Sequence, residues 1–93
     1  MLAAAVLAHP SDHGGEVIDA SETVFIEGAG AVRLGHRHAC PLPGHGVTEM
    51  VWTPSTTLVD GRPLCCATAR AGCGAVLVQV ARSVVVVPRE PAP

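Results

Sequence analysis

The sequence predicts an all-β domain made of three related hairpin repeats. Two observations lead to this prediction. Short runs rich in Val, Ile and Thr are separated by Gly and Pro, as β-strands are when tight turns join them. These runs also recur at fixed offsets along the chain, which is the signature of a repeat architecture.

Each repeat opens with a His or Cys followed by glycine and then supplies two strands. The openings are His13-Gly14, His45-Gly46 and Cys73-Gly74. The predicted strands cover residues 16–19 and 23–26 in the first repeat, 50–53 and 57–59 in the second, and 76–80 and 84–87 in the third. Residues 28–30 and 60–63 are predicted turns, where glycine supplies the positive φ of a tight reversal. Residues 1–8 have helical propensity but are too few to form a helix alone.

The repeat offsets are regular. Asp60 lies as far beyond Glu27 in the chain as Cys73 lies beyond Cys40. The shift that places His13 on Cys73 also aligns residues 23–26 with 83–86. Three such copies predict a pseudo-threefold axis, with the hairpins converging at one end into a small cone.

The chain has the length of one domain, so we treat residues 1–93 as a single domain with a repeat core of about 11–87 and short terminal tails. Apolar residues are mostly Ala and Val, and Phe25 and Trp52 are the only aromatic ones. Because the large burial of aromatic side chains is nearly absent, the predicted core is thin. A domain of this kind needs support from a metal or a partner surface.

Charge and hydropathy exclude several classes of function. The formal net charge is −2 and the six basic residues are scattered arginines, so binding to nucleic acid is not expected. Residues 2–8 are apolar but short, without a basic residue before them, unlike a secretory signal. Residues 75–87 are interrupted by Gln79 and Arg82 and are too short to cross a bilayer. We therefore expect a protein made in the cytoplasm without a signal peptide.

A metal site is predicted around residues 36–46. This segment holds three histidines, one cysteine, two prolines and two glycines, a composition too rigid and too broken for a helix. We predict that one structural zinc ion is bound at the narrow end of the cone. The predicted ligands are His13, His38, His45 and Cys73, with Cys40 as the alternative ligand in the same loop. Zinc prefers four N and S donors in a tetrahedron, and iron is a less favoured alternative.

The other histidines and cysteines are assigned structural positions. His9 and His36 are expected at the surface. Cys65 and Cys66 are expected to be packed thiols, since a free cysteine behaves as a small apolar residue. Two disulfides in an exported domain are the competing interpretation of four cysteines, although the adjacent pair makes a simple pairing scheme awkward.

Several segments, in this order and at this spacing, resemble PAAR-repeat proteins. The matching segments are 11–15, 23–28, 38–41, 43–46, 60–63 and Cys73-Gly74, so that the resemblance covers about 11–87. The family's Pro-Ala-Ala-Arg quartet is degraded to Gly30-Ala31-Val32-Arg33 and to Pro63-Leu64-Cys65-Cys66. The resemblance implies a β-hairpin cone with one zinc bound by three histidines and one cysteine. By position these are again His13, His38, His45 and Cys73.

The resemblance also implies a non-enzymatic function. Such proteins cap and sharpen the trimeric β-helical spike of a contractile injection machine, which is a type VI secretion system, a phage tail or an extracellular injection particle. One copy would bind each trimer through its wide base, touch the target membrane transiently and pierce the envelope. It would be delivered outside or into a target cell, with effector proteins as possible further partners.

Candidate base residues come from the alternating strands. They are Val24, Ile26, Leu58, Val84 and Val86. No Ser-His-Asp set, phosphate-binding loop or His-Glu-x-x-His motif occurs in the sequence, which agrees with a structural protein. The alternative function is a small zinc-binding interaction module in the cytoplasm.

Overall fold

The computed structural model describes residues 1–87, and these residues form an all-β cone. Its strands are β1 (Leu2–Ala3), β2 (Glu16–Val17), β3 (Phe25–Ile26), β4 (Ala29–Gly30), β5 (Arg37–Ala39), β6 (Val47–Trp52), β7 (Leu58–Val59), β8 (Arg62–Pro63), β9 (Arg70–Ala71) and β10 (Val85–Val86). Most strands have two residues because turn residues interrupt them so often. No described residue lies in a helix, so none of these segments could cross a membrane as an apolar helix.

The strands form one curled sheet and three two-stranded sheets, which we call blades. The curled sheet is antiparallel, with the order β2-β5-β6-β9. Blade 1 is the pair β3–β4, blade 2 is β7–β8, and blade 3 is β1–β10, each antiparallel. Blades 1 and 2 lie away from the predicted metal ligands, since the chain passes from His13 through β2 and from His45 through β6 before it enters them.

A closed ring of backbone hydrogen bonds establishes the pseudo-threefold axis. The N–H of Ala5 donates to Cys65 O at 3.0 Å, that of Val32 to Ala5 O at 3.0 Å, and that of Cys65 to Val32 O at 2.7 Å. The separations from Ala5 to Val32 and from Val32 to Cys65 match those between successive repeats. The ring therefore joins the same position of all three repeats.

A second set of three bonds follows the same symmetry. Each bond ties a turn to a buried residue of the core. The N–H of Ala8 donates to Val17 O at 2.9 Å, that of Gly35 to Met50 O at 3.0 Å, and that of Thr68 to Leu77 O at 2.8 Å. All three donor residues have left-handed backbones, with φ of 71°, 93° and 78°. Only Gly35 adopts this conformation without the usual steric cost of a side chain.

The core has two layers along the axis. Val17, Met50 and Leu77 occupy equivalent positions and lie in the layer nearer the curled sheet, with Ala5, Val32 and Cys65. The second layer, beneath the blades, contains Ala4, Ala31, Val59, Leu64, Cys66 and Val86. Small and β-branched residues dominate both layers, because three chain segments approach one axis closely.

The largest departure from the predicted secondary structure lies in the third repeat. The expected strand over residues 76–80 is wrong, since only Val76 and Leu77 take part in isolated bridges. Residues 1–8 do not behave as a tail, because Leu2 pairs with Val86 and Ala3 with Val85. The N-terminal segment supplies the strand that completes the third repeat. The predicted C-terminal tail, 88–93, lies outside the described residues.

The other departures are shifts of boundaries. The predicted turns at residues 28–30 and 60–63 contain the short strands β4 and β8, so each of these two blades is folded about its Glu-Gly or Asp-Gly pair. The strand predicted at 50–53 begins earlier, as β6 (Val47–Trp52). The predicted strands at 16–19 and 23–26 shorten to β2 and β3.

Candidate metal centre

Four side chains converge at the narrow end of the curled sheet. The donor atoms of His13, Cys40, His45 and Cys73 all lie within 4.8 Å of one another. Cys40 Sγ is 3.6 Å from His13 Nδ1 and 3.4 Å from His45 Nδ1. A zinc tetrahedron with usual Zn–S and Zn–N lengths has an S–N edge of about 3.6 Å. The donor types and these spacings therefore fit zinc.

Each donor is presented by a turn at the end of a strand. His13 lies just before β2 and Cys73 just after β9, and each precedes a glycine with positive φ, 80° at Gly14 and 91° at Gly74. Cys40 directly follows β5. These strands are neighbours or near neighbours in the curled sheet, so their ends meet at one edge.

The donor set follows the repeat symmetry. The separations from His13 to Cys40 and from Cys40 to Cys73 equal those between the ring residues. These three donors thus occupy one equivalent position in the three repeats. His45 has no equivalent, because it comes from the loop that joins β5 to β6. Four protein donors complete the coordination that structural zinc prefers.

The structure does not bring His38 into this group. His38 is fully buried, and its Nε2 lies 2.8 Å from Ser11 Oγ. A Cβ on Gly15 would be 3.0 Å from the His38 ring and 2.1 Å from Ala39 O, so the residue that precedes β2 must be glycine. Burial lowers the pKa of His38, with His13 as a smaller contributor. His38 packs in the interior next to the centre, and Cys40 stands in the donor group instead.

Neighbouring side chains anchor the ligand turns. Thr48 Oγ1 accepts the N–H of Cys73 at 3.3 Å, and Asp12 Oδ1 accepts the N–H of Val76 at 2.8 Å. The same Asp12 oxygen is 3.9 Å from His13 Nε2, which is beyond hydrogen-bond distance. Asp12 therefore ties the first ligand turn to the third and adds negative charge near the imidazole.

The expectation that His9 and His36 lie at the surface is wrong, since both are buried. His9 Nε2 donates to Val78 O at 2.7 Å, and His36 Nδ1 accepts the N–H of Arg33 at 3.0 Å. His36 follows His9 at the repeat spacing, so the two occupy equivalent positions under the curled sheet. Burial lowers the pKa of both, and positive neighbours lower it further.

The prediction that Cys65 and Cys66 are packed thiols is confirmed, since both are fully buried. Burial, helped by Cys66, raises the pKa of Cys65 to about 12. Burial also raises the pKa of Cys66, although Thr53 opposes this by hydrogen bonding. A thiol with such a pKa is a poor metal ligand and a poor nucleophile. All four cysteines of the chain are free.

The predicted base residues differ in exposure, because some lie on the outer face of a strand and others on the face toward the core. Leu58 is 64% exposed and Val84 is also exposed, whereas Val86 is only 7% exposed and cannot present its side chain. Val24 and Ile26 are partly buried against the second core layer. Because a shift of one residue exchanges the two faces of a strand, the exposed positions in β3 and β10 are Phe25 and Val85.

Comparison with known proteins adds one match. A family model described as PAAR motif matches residues 7–79, most of the chain. No curated protein matches the sequence.

Proposed function

The chain belongs to the PAAR-motif family, and from that premise we propose that it caps and sharpens the trimeric β-helical spike of a contractile injection machine. One observation carries this proposal. Phe25, Leu58 and Val85 hold the same position in blades 1, 2 and 3, and all three side chains are exposed. Exposed apolar side chains that recur around an axis are suited to a partner with threefold symmetry.

The proposed docking places one cone on one spike trimer. Each subunit of a homotrimer would offer the same apolar surface to one blade, so the three side chains would be buried together. Phe25 is the largest of them and would contribute the most burial. The spike would thereby cover apolar surface that the isolated cone exposes to water.

The metal centre would stabilise the other end. We propose that His13, Cys40, His45 and Cys73 bind one zinc ion, which joins the three repeats where they converge. Structural zinc contributes about 10 kcal/mol or more to small domains, and this suits a tip that bears load. The zinc would have a structural role, in a protein without enzymatic activity.

In this proposal the protein is made in the cytoplasm, is assembled into the particle and leaves with it, outside or into a target cell. The apex would contact the target membrane only during penetration. Effector proteins are further candidate partners, and nucleic acid is not expected because the chain carries a net charge of −2.

The test is to co-purify the protein with a trimeric β-helical spike and to measure the mass of the complex by light scattering. We expect one cone per trimer. The triple variant Phe25→Asp, Leu58→Asp, Val85→Asp should lose the complex, because three charges would enter an apolar interface. Val47→Asp, an exposed valine in the curled sheet, is the matched control and should still bind. Equal binding by the triple variant would refute the proposed docking face.

A further inference from the structure

Two blade turns fasten the blades to one another through carboxylates. Glu27, in the turn of blade 1, reaches the entry of blade 3. Its Oε1 accepts the N–H of Ser83 at 2.9 Å, the Ser83 hydroxyl at 2.7 Å and the N–H of Val84 at 3.3 Å. Arg82 Nη1 lies 3.9 Å from its other oxygen. Glu27 thus bridges blades 1 and 3.

Asp60, in the turn of blade 2, makes the equivalent contact with blade 1. It accepts the Ser21 hydroxyl at 2.6 Å and the Thr23 hydroxyl at 2.6 Å, one on each carboxylate oxygen. These hydrogen bonds lower the pKa of Asp60, as those from Ser83 lower the pKa of Glu27. Thr23 and Ser83 align in the repeat, so the hydroxyls that donate to the two carboxylates are also related by the pseudo-symmetry.

The third such contact lacks its carboxylate. The symmetry would place this contact between blade 3 and blade 2. Position 87 would carry the carboxylate, and the Thr56 hydroxyl would donate a hydrogen bond to it. Position 87 is valine, and its side chain is 71% exposed. Among residues 1–87 no carboxylate hydrogen-bonds to Thr56. The Thr56 hydroxyl is present as a donor, but residues 1–87 do not supply a carboxylate to accept its hydrogen bond.

A backbone donor supports the same site. Ser83, which aligns with Thr56, donates both its hydroxyl and its N–H to Glu27. The N–H of Thr56 makes no hydrogen bond within residues 1–87. Thr56 can therefore offer a carboxylate the same two donors.

We propose that Thr56 forms a carboxylate-binding site through its hydroxyl and its N–H, filled by an acidic side chain of the protein that docks on the blades. This source of the carboxylate depends on the proposed function. Thr56 and Leu58 are two positions apart on an extended segment and so lie on one face. Leu58 belongs to the proposed docking face, so a partner that covers it also reaches Thr56.

The site itself can be tested without any partner. Acetate is titrated into the metal-loaded, full-length protein, and the NMR signals of the amide and side chain of Thr56 are followed. We expect saturable shifts that are absent in Thr56→Val. The signals of Thr23 should not move, because Asp60 already occupies that contact, and this provides an internal control.

A second arm distinguishes the source of the carboxylate. The sequence carries one acidic residue after Val87, namely Glu90. If acetate acts on the wild type, the site accepts an external carboxylate, as proposed. If acetate acts only on Glu90→Gln, the chain's own carboxylate fills the site and the partner assignment is overturned. If neither protein responds, the site itself is refuted.

The spike complex provides the last readout. Thr56→Val should weaken spike binding about tenfold, the loss expected for one hydrogen bond to a charged group. Thr53→Val, which removes a hydroxyl bonded to Leu64 O inside the protein, is the control and should leave the affinity unchanged if it folds. Acetate binding together with unchanged spike affinity would overturn only the partner. Failure of spike binding in the wild type would overturn the proposed function and leave the acetate result intact.

Discussion

At the scale of single residues, the choice between Cys40 and His38 is testable by metal content. We expect Cys40→Ser to lose bound zinc, because Cys40 Sγ lies 3.6 and 3.4 Å from two imidazole nitrogens of the donor group. His38→Gln should retain one zinc per chain, since His38 bonds to Ser11. The measurement is zinc per protein after gel filtration, with folding checked by circular dichroism. Zinc loss in His38→Gln alone would reverse the assignment.

The sequence contained the information needed to choose Cys40. His13, Cys40 and Cys73 share one repeat position, whereas His38 shares its position with Ser11 and Ala71. The resemblance to a family with three histidine ligands favoured His38, although the alignment of the repeats favours Cys40. The burial of His9 and His36 was harder to foresee, because it depends on contacts with distant parts of the chain, such as Val78 for His9 and Met50 for His36.

The buried histidines predict a loss of stability in mild acid. Burial lowers the folded-state pKa of His9 and His36, and Arg82 and Arg33 act in the same direction. Asp19 and Asp60 oppose the shift at His36 without reversing it. The unfolded chain therefore binds protons first as the pH falls below about 6.5. The stability present above that pH should decline toward the lower folded-state pKa values.

The measurement is the free energy of unfolding of the zinc-loaded protein by urea, from pH 8 to pH 5.5, with zinc content checked at each pH. His9→Gln retains a donor for Val78 O and should show a shallower decline than the wild type. An unchanged slope in His9→Gln would show that His9 does not contribute to the pH dependence.

At the scale of elements, the three equivalent turns differ in strain. Ala8, Gly35 and Thr68 all have positive φ, and Thr68 is a β-branched residue at 78°. A left-handed conformation costs an ordinary residue about 1–2 kcal/mol. Since glycine costs some entropy in return, Thr68→Gly should raise the free energy of unfolding by about 1 kcal/mol. The exposed Thr68 side chain contributes little packing to offset this gain.

Chemical denaturation measures this effect. Thr57→Gly is the matched control, because Thr57 has no positive φ and precedes β7, and it should lower stability. A fall in stability for Thr68→Gly would mean that its side chain contributes more than its backbone strain costs.

The elements also show how far sequence patterns could lead. The Val-rich runs and the Glu-Gly and Asp-Gly pairs located the first two blades correctly, because blades 1 and 2 are local hairpins. Blade 3 joins Leu2 with Val86, a pairing between the two ends of the described chain that no local pattern reveals. The alanine of β1 has low strand propensity, so only the repeat offset that relates Leu2 to Ala29 could have placed this strand.

For the whole molecule, the interactions that join the three repeats predict the effect of removing the metal. Backbone hydrogen bonds among Ala5, Val32 and Cys65 join the three repeats within the core, and the proposed zinc joins them at the apex. A domain of this length has a net stability of about 5–10 kcal/mol, and structural zinc contributes about 10 kcal/mol or more. The metal contribution is therefore as large as the whole stability. Chelation should unfold the molecule globally and not only at the apex.

Hydrogen exchange followed by NMR distinguishes these outcomes. After treatment with a zinc chelator, the amide of Cys65 in the ring should lose protection together with the amide of Met50, which bonds to His36 O in the curled sheet. The same chelator saturated with zinc is the control and should leave both protected. Protection that persists at Cys65 while Met50 exchanges would show that the ring of backbone hydrogen bonds is stable without the curled sheet. In that case the blades would hold their geometry without the metal, and the zinc would stiffen only the apex.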